Sequence, residues 1–152
     1  MELKRILMPT DFSENADHAF QYALAFARAF GAKLYIMHVV HFPPQIQLYV
    51  TRDVLDRLVK DVETSLKALI ERSKETKINF NPVVRLGVED SEITGLAEKE
   101  RIHLIVMGTH GRTGLAHTFL GSVAERVVRH APCPVLTVKL PSTKGRKAVK
   151  RK

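Results

Sequence analysis

Cysteine occurs once in this chain of 152 residues, at Cys133. A lone thiol excludes an intrachain disulfide and a cysteine-built metal cluster, and it fits a reducing compartment. Long apolar runs are missing as well. The longest, such as Leu34–Met37 and Leu104–Met107, fall far short of the roughly 20 residues that a bilayer-spanning helix needs, so no membrane partner is expected. Met1–Thr10 is too short for a signal-peptide apolar core and carries no cleavage site, which makes the cytoplasm the expected location. Acidic residues are absent from Ser142 to Lys152, where Lys144, Arg146, Lys147, Lys150, Arg151 and Lys152 hold six of the eight net positive charges. With no large apolar side chain to offset ordering entropy, residues 142–152 read as a disordered basic tail. Such a tail could neutralise nucleic-acid phosphates. A solvated tail is the simpler reading, and nucleic acid is not the expected partner.

The rest, residues 1–141, has the balance of an ordinary globular domain: the whole chain is 45% apolar and 26% charged. At this length one core buries roughly two thirds of the unfolded surface. Short β-type runs alternate with segments of helical period. Leu3–Met8 reads as a strand; Ser13 then caps a helix whose apolar positions Ala16, Ala19, Phe20, Ala23, Leu24, Ala27 and Phe30 lead to Gly31. Lys33–Val40 reads as the second strand, and Phe42-Pro43-Pro44 cannot continue its pairing. A helix over 51–75 is expected to bury Val54, Leu55, Leu58, Val62, Leu66, Leu69 and Ile70. Ile78–Leu86 reads as a third strand, at a sheet edge because of Pro82. A short helix over 92–101, a fourth strand over 103–108, a last helix over 122–130 and a last strand over 134–140 complete the pattern. Strict alternation implies an α/β fold, an open doubly wound five-stranded parallel sheet with helices on both faces. Ligands bind such sheets outside the carboxyl ends of the strands where the order reverses, which directs attention to the ends of the first and fourth strands.

After the fourth strand comes Gly108-Thr109-His110-Gly111-Arg112-Thr113-Gly114, and nine residues separate Gly111 from Gly121-Ser122. Glycines let backbone amides approach anionic oxygens, and a helix N-terminus favours negative charge. Ser122, Arg112 and His110 add donors. On spacing alone the same glycines serve equally well as a turn and a tight packing contact. The segment is neither a Walker A loop nor the dinucleotide fingerprint.

Gly108, Gly111 and Gly121-Ser122 match the G-x2-G-x9-G-S/T pattern of ATP-binding universal stress proteins. Ile6-Leu7-Met8-Pro9-Thr10-Asp11-Phe12-Ser13, His38-Val39, Leu104–Arg112 and Ala131-Pro132-Cys133-Pro134-Val135-Leu136 also resemble that family's landmarks. The likeness spans about Lys4 to Val138. It implies an adenine nucleotide alpha-hydrolase-like fold and a nucleotide-responsive regulator in stress adaptation rather than a fast enzyme. By resemblance, backbone at Val39 holds adenine, and Pro9, Thr10 and Asp11 border ribose and phosphates. The remaining nucleotide contacts fall on Met107, Gly108, Thr109, His110, Gly111, Arg112, Gly114, Gly121, Ser122 and Val123. Asp11 is a candidate ligand for magnesium carried by ATP, or equally a carboxylate that satisfies amides at the helix start. His103 departs from the aspartate common in relatives, at a position far from the glycine loop. The resemblance further implies a homodimer built through the last strand, Pro134–Leu140.

His38 and His41 suggest no third metal ligand. A receiver domain needs an acidic pair after the first strand and a phosphoacceptor aspartate after the third, and neither is present. A weak ATPase or phosphotransferase, and a nucleotide-free dimeric scaffold, remain the alternatives.

Overall fold

Residues 2–111 and 120–141 are described in the computed structural model. In β1 (Arg5–Pro9) the side chains Ile6, Leu7 and Met8 are all wholly buried, as they must be in a strand covered on both faces. Ser13 then caps α1 (Glu14–Phe30), its Oγ accepting the Ala16 N–H at 3.2 Å, and Gly31 ends that helix in the left-handed conformation at φ 61°. β2 (Lys33–His41) is followed by a 3-10 helix over Pro44–Tyr49 that the sequence reading did not anticipate, with proline at its first turn. The chain continues through α2 (Arg52–Ser73), β3 (Phe80–Gly87), α3 (Glu89–Lys99), β4 (Leu104–Gly108), α4 (Ser122–His130) and β5 (Val135–Val138).

The five strands form one parallel sheet in the order β3-β2-β1-β4-β5. The expected α/β class is therefore present, and Pro82 does lie in an edge strand. Ile6 and Met8 face a core built with α1 and α2. Leu7, Tyr35, Met37 and Ile105 face the opposite core, built with α3 and α4. The chain steps from β1 outward to β3, then crosses back to lay β4 on the other side of β1, so the order reverses between β1 and β4.

Two expectations about the helices need correction. α3 starts at Glu89, three residues before the expected start, because Glu89, Asp90 and Glu92 all sit in a first turn that favours negative charge. The apolar stripe of α2 is buried only in its second half: Leu66 and Leu69 are covered, but Val54 and Leu58 are 47% and 41% exposed. A helix of 22 residues runs about 33 Å, whereas the eight residues of β3 run about 26 Å, so part of α2 outruns the strand, and the exposed Val54 and Leu58 place that part in its first turns.

Candidate functional site

The site begins where β1 stops. Thr10 N–H donates to the Met37 carbonyl at 2.8 Å, the last bond between β1 and β2. The chain then turns sharply into α1. Thr10 Oγ1 accepts the Phe12 N–H and Asp11 Oδ1 accepts the Ser13 N–H, each at 3.0 Å. Phe12 holds φ 61° in this turn, with its ring 4.9 Å from that of His38. Asp11 thus satisfies an amide at the helix start through Oδ1, while Oδ2 is turned toward the glycine segment: a Cβ placed on Gly111 would lie 2.8 Å from it.

A side chain would be crowded at this crossing. At Gly108 a Cβ would sit 3.1 Å from the backbone of Asn15, and at Gly121 it would sit 3.1 Å from the Thr109 carbonyl. The Thr109 N–H bonds the Val138 carbonyl at 3.0 Å, and the Gly121 N–H returns to the Thr109 carbonyl at 2.7 Å, folding the segment back onto the end of β4. Thr109 Oγ1 lies 3.0 Å from His110 Nδ1. Gly121, the cap of α4, has no side chain with which to bond the helix amides, and Gly121, Ser122, Val123 and Ala124 all line the cleft, so the helix begins at its wall. The N-terminal amides of a helix and its dipole together attract an anion.

The opposite end is apolar with a polar rim. Residues 35, 37, 39 and 41 of β2 turn their backbone toward the β1 side, but β1 has ended at Pro9↔Met37. The peptide groups of Val39 therefore lie beyond the last rung of that ladder, at the cleft wall. Met37, Val39, Ile93 and Met107 supply the apolar lining. His38 Nδ1–H donates to the Thr10 carbonyl at 2.7 Å, and His41 Nδ1 lies 3.0 Å from Glu89 Oε2. The cleft has a volume of about 430 Å³, within the range of small-ligand sites. It lies at the carboxyl ends of β1 and β4, where the strand order reverses.

The profile of the universal stress protein family matches residues 2–139. The chain belongs to that family. A universal stress protein of Methanocaldococcus jannaschii is 38% identical over 141 residues, covering 91% of this chain and 83% of its own. A second universal stress protein from the same archaeon is 32% identical over 157 residues. Its solved structure superposes with a TM-score of 0.79, covering 94% of this chain and all of its own. A universal stress protein solved in complex with cAMP is 28% identical, with a TM-score of 0.66 and coverage of 89% of this chain and 96% of its own.

In this member of the universal stress protein family, twelve of the residues singled out from the sequence line one cleft: Pro9, Thr10, Asp11, Val39, Met107, Gly108, Thr109, His110, Gly111, Gly121, Ser122 and Val123. Arg112 and Gly114 lie outside the described residues. Sequence reasoning weighed His41 only as a metal ligand and passed over Glu89; both line the same cleft, as does Ile93. The signal was available: Glu89 follows the end of β3 as Asp11 follows the end of β1, and the carboxyl-end rule applies to both. His103 precedes β4 and so lies at the other end of the sheet; its N–H donates to the Arg5 carbonyl at 2.9 Å, and its buried Nδ1 has no hydrogen bond among the described residues. Burial pushes the Cys133 thiol above its ordinary value, against the smaller lowering effect of a backbone hydrogen bond at Ile105.

Proposed function

We propose that the cleft binds ATP and that occupancy, rather than turnover, is the signal this protein passes on in stress adaptation. The observation that carries the reading is the start of α4, which has no side-chain cap among the described residues, beside three glycines at which a Cβ would crowd Asn15, Asp11 and Thr109. A triphosphate lies over Gly108, Gly111 and the amides of Ser122 and Val123; Arg112 and Gly114 follow Gly111 in the sequence. Pro9 and Thr10 border the ribose. Adenine sits in the apolar end and pairs with the backbone of Val39. The family match and the cAMP complex of one relative support an adenine nucleotide as the ligand.

The donor set suits magnesium only as a passenger of the nucleotide. Among the described residues no group of three His, Cys, Asp or Glu side chains could hold a metal ion. Asp11 offers one carboxylate beside the phosphate end. One carboxylate plus phosphate oxygens and waters is an ordinary magnesium environment. We also propose a cytoplasmic homodimer joined through β5, the open edge beside β4, where Val135, Leu136 and Thr137 are only partly covered.

The test is to denature the purified protein, identify any released nucleotide, and titrate ATP with magnesium into the emptied protein by calorimetry. Stoichiometric binding that is lost in Gly111→Val and weakened in Asp11→Ala supports the reading, provided both variants melt cooperatively. No binding at millimolar ATP would make the glycine segment a structural turn and leave a nucleotide-free scaffold.

A further inference from the structure

The first turn of α3 carries three acids, and they do different things. Asp90 is turned toward α4, where its Oδ1 lies 3.6 Å from Arg126 Nη1. Glu92 folds back over Gly87, whose missing Cβ would sit 2.7 Å from Glu92 Oε1. Only Glu89 lines the cleft. A general preference for acids at a helix start accounts for all three, but not for the aim of this one.

Glu89 is held in that aim by His41. The two residues end adjacent strands in register, His41 on β2 and, two residues past its rung partner Gly87, Glu89 after β3. The Phe42 N–H donates to the Gly87 carbonyl at 2.9 Å and locks the two chain ends together. His41 Nδ1–H donates to Oε2 at 3.0 Å, and Oε1 has no hydrogen bond among the described residues. Glu89 is about one-third exposed, with a side-chain accessibility of 32%. The cleft therefore has a carboxylate acceptor in its wall, near its apolar end, where Met37 and Val39 also line it.

We infer that Glu89 is a specificity-determining residue that selects purines bearing a 6-amino group, with His41 as its positioning residue. The inference rests on the nucleotide reading of the cleft. An exocyclic amine has two hydrogens. The Val39 carbonyl takes one and Glu89 Oε1 takes the other. A 6-oxo purine presents an acceptor at that point, so its oxygen meets two acceptors, one of them charged. A site built to accept from an amine disfavours the analogue lacking it, because the 6-oxo group brings an acceptor against the carboxylate where the amine would have brought a donor.

Calorimetric titration of the nucleotide-free full-length protein with ATP, ITP and GTP tests this, in the wild type, Glu89→Gln and Glu89→Ala. Thermal melts verify that each variant is folded; Glu89 is too exposed for its loss to unfold the chain. A charge-assisted hydrogen bond predicts a preference of ATP over ITP that narrows by about tenfold or more in both variants. In Glu89→Gln the amide can donate to a 6-oxo group, so ITP and GTP affinities rise as ATP affinity falls. If the wild type binds ATP and the ATP:ITP ratio is unchanged in both variants, Glu89 does not read the base, while the nucleotide reading stands. If the wild type binds none of the three, the nucleotide reading fails and this inference fails with it. A wild type that prefers GTP overturns the inference alone, since it would show the carboxylate accepting from the N1–H and 2-amino edge of guanine.

Discussion

Lys74 and Phe12 share a left-handed backbone, at φ 55° and 61°, yet substituting glycine has opposite outcomes at the two positions. Lys74 ends α2 with an exposed side chain. Removing its Cβ relieves about 1 kcal/mol of strain, less the extra freedom glycine gains in the unfolded chain. Lys74→Gly is expected to raise the melting temperature by up to about 2–4 °C, and calorimetry would show it. A lower melting temperature would mean the cap is unstrained. Phe12→Gly relieves the same strain but removes a ring packed on the core and on His38. A lost aromatic costs about 3 kcal/mol or more, so this variant is less stable. The raised pKa of Cys133 gives a second residue-scale outcome. Above the ordinary thiol value the unfolded chain ionises while the folded chain resists, so this residue's effect on stability turns unfavourable as pH rises. Alkylation by iodoacetamide at pH 8.5 should run slower than with a free thiol such as glutathione and recover in denaturant; equal rates in the folded state would contradict the effect of burial.

At the scale of elements, what a sequence reveals depends on whether local chemistry or tertiary reach decides. Ser13 and Gly31 bracket α1 because a hydroxyl cap and a residue free to adopt positive φ are local requirements. The start of α4 at Ser122 was readable for a similar reason, with glycine just before it. The glycine cleft itself was legible from spacing and resemblance. The burial of α2 was not: Val54 and Leu58 fit the helical period as well as Leu66 does, and only where the helix lies on the sheet decides which turns are covered. Glu89 was legible only as a residue that follows a strand end; its partner His41 lies on another strand, and no sequence period connects the two. The uneven covering of α2 has a measurable consequence. Leu66→Ala empties a wholly buried position and should cost about 2–5 kcal/mol in urea unfolding. Leu58→Lys on the same helix should stay within about 0.5 kcal/mol. Equal costs would mean that another surface covers the first turns of α2.

For the whole molecule, the reversal of strand order between β1 and β4 does the joining. It brings the β1–α1 turn, the glycine segment and the start of α4 together with the ends of β2 and β3, so one ligand would touch parts of the chain that lie far apart in sequence. A ligand that binds only this assembled cleft must stabilise the entire fold, since unfolding any contributor releases it. Mass action sets the size: about 2.7 kcal/mol at a hundredfold excess over Kd, or roughly 5–10 °C in melting temperature for a domain of this size. ATP with magnesium should produce that rise in the emptied wild-type protein. Gly111→Val, whose side chain would compete with Asp11 Oδ2 for the same space, should melt cooperatively but show little response to ATP. Glu89→Gln should respond to ATP with a smaller rise and to ITP with a larger one than the wild type. A uniform rise in all three proteins would point to ATP bound somewhere other than this cleft, because a site that ignores both its phosphate end and its base end is not the one assembled at the switch between β1 and β4.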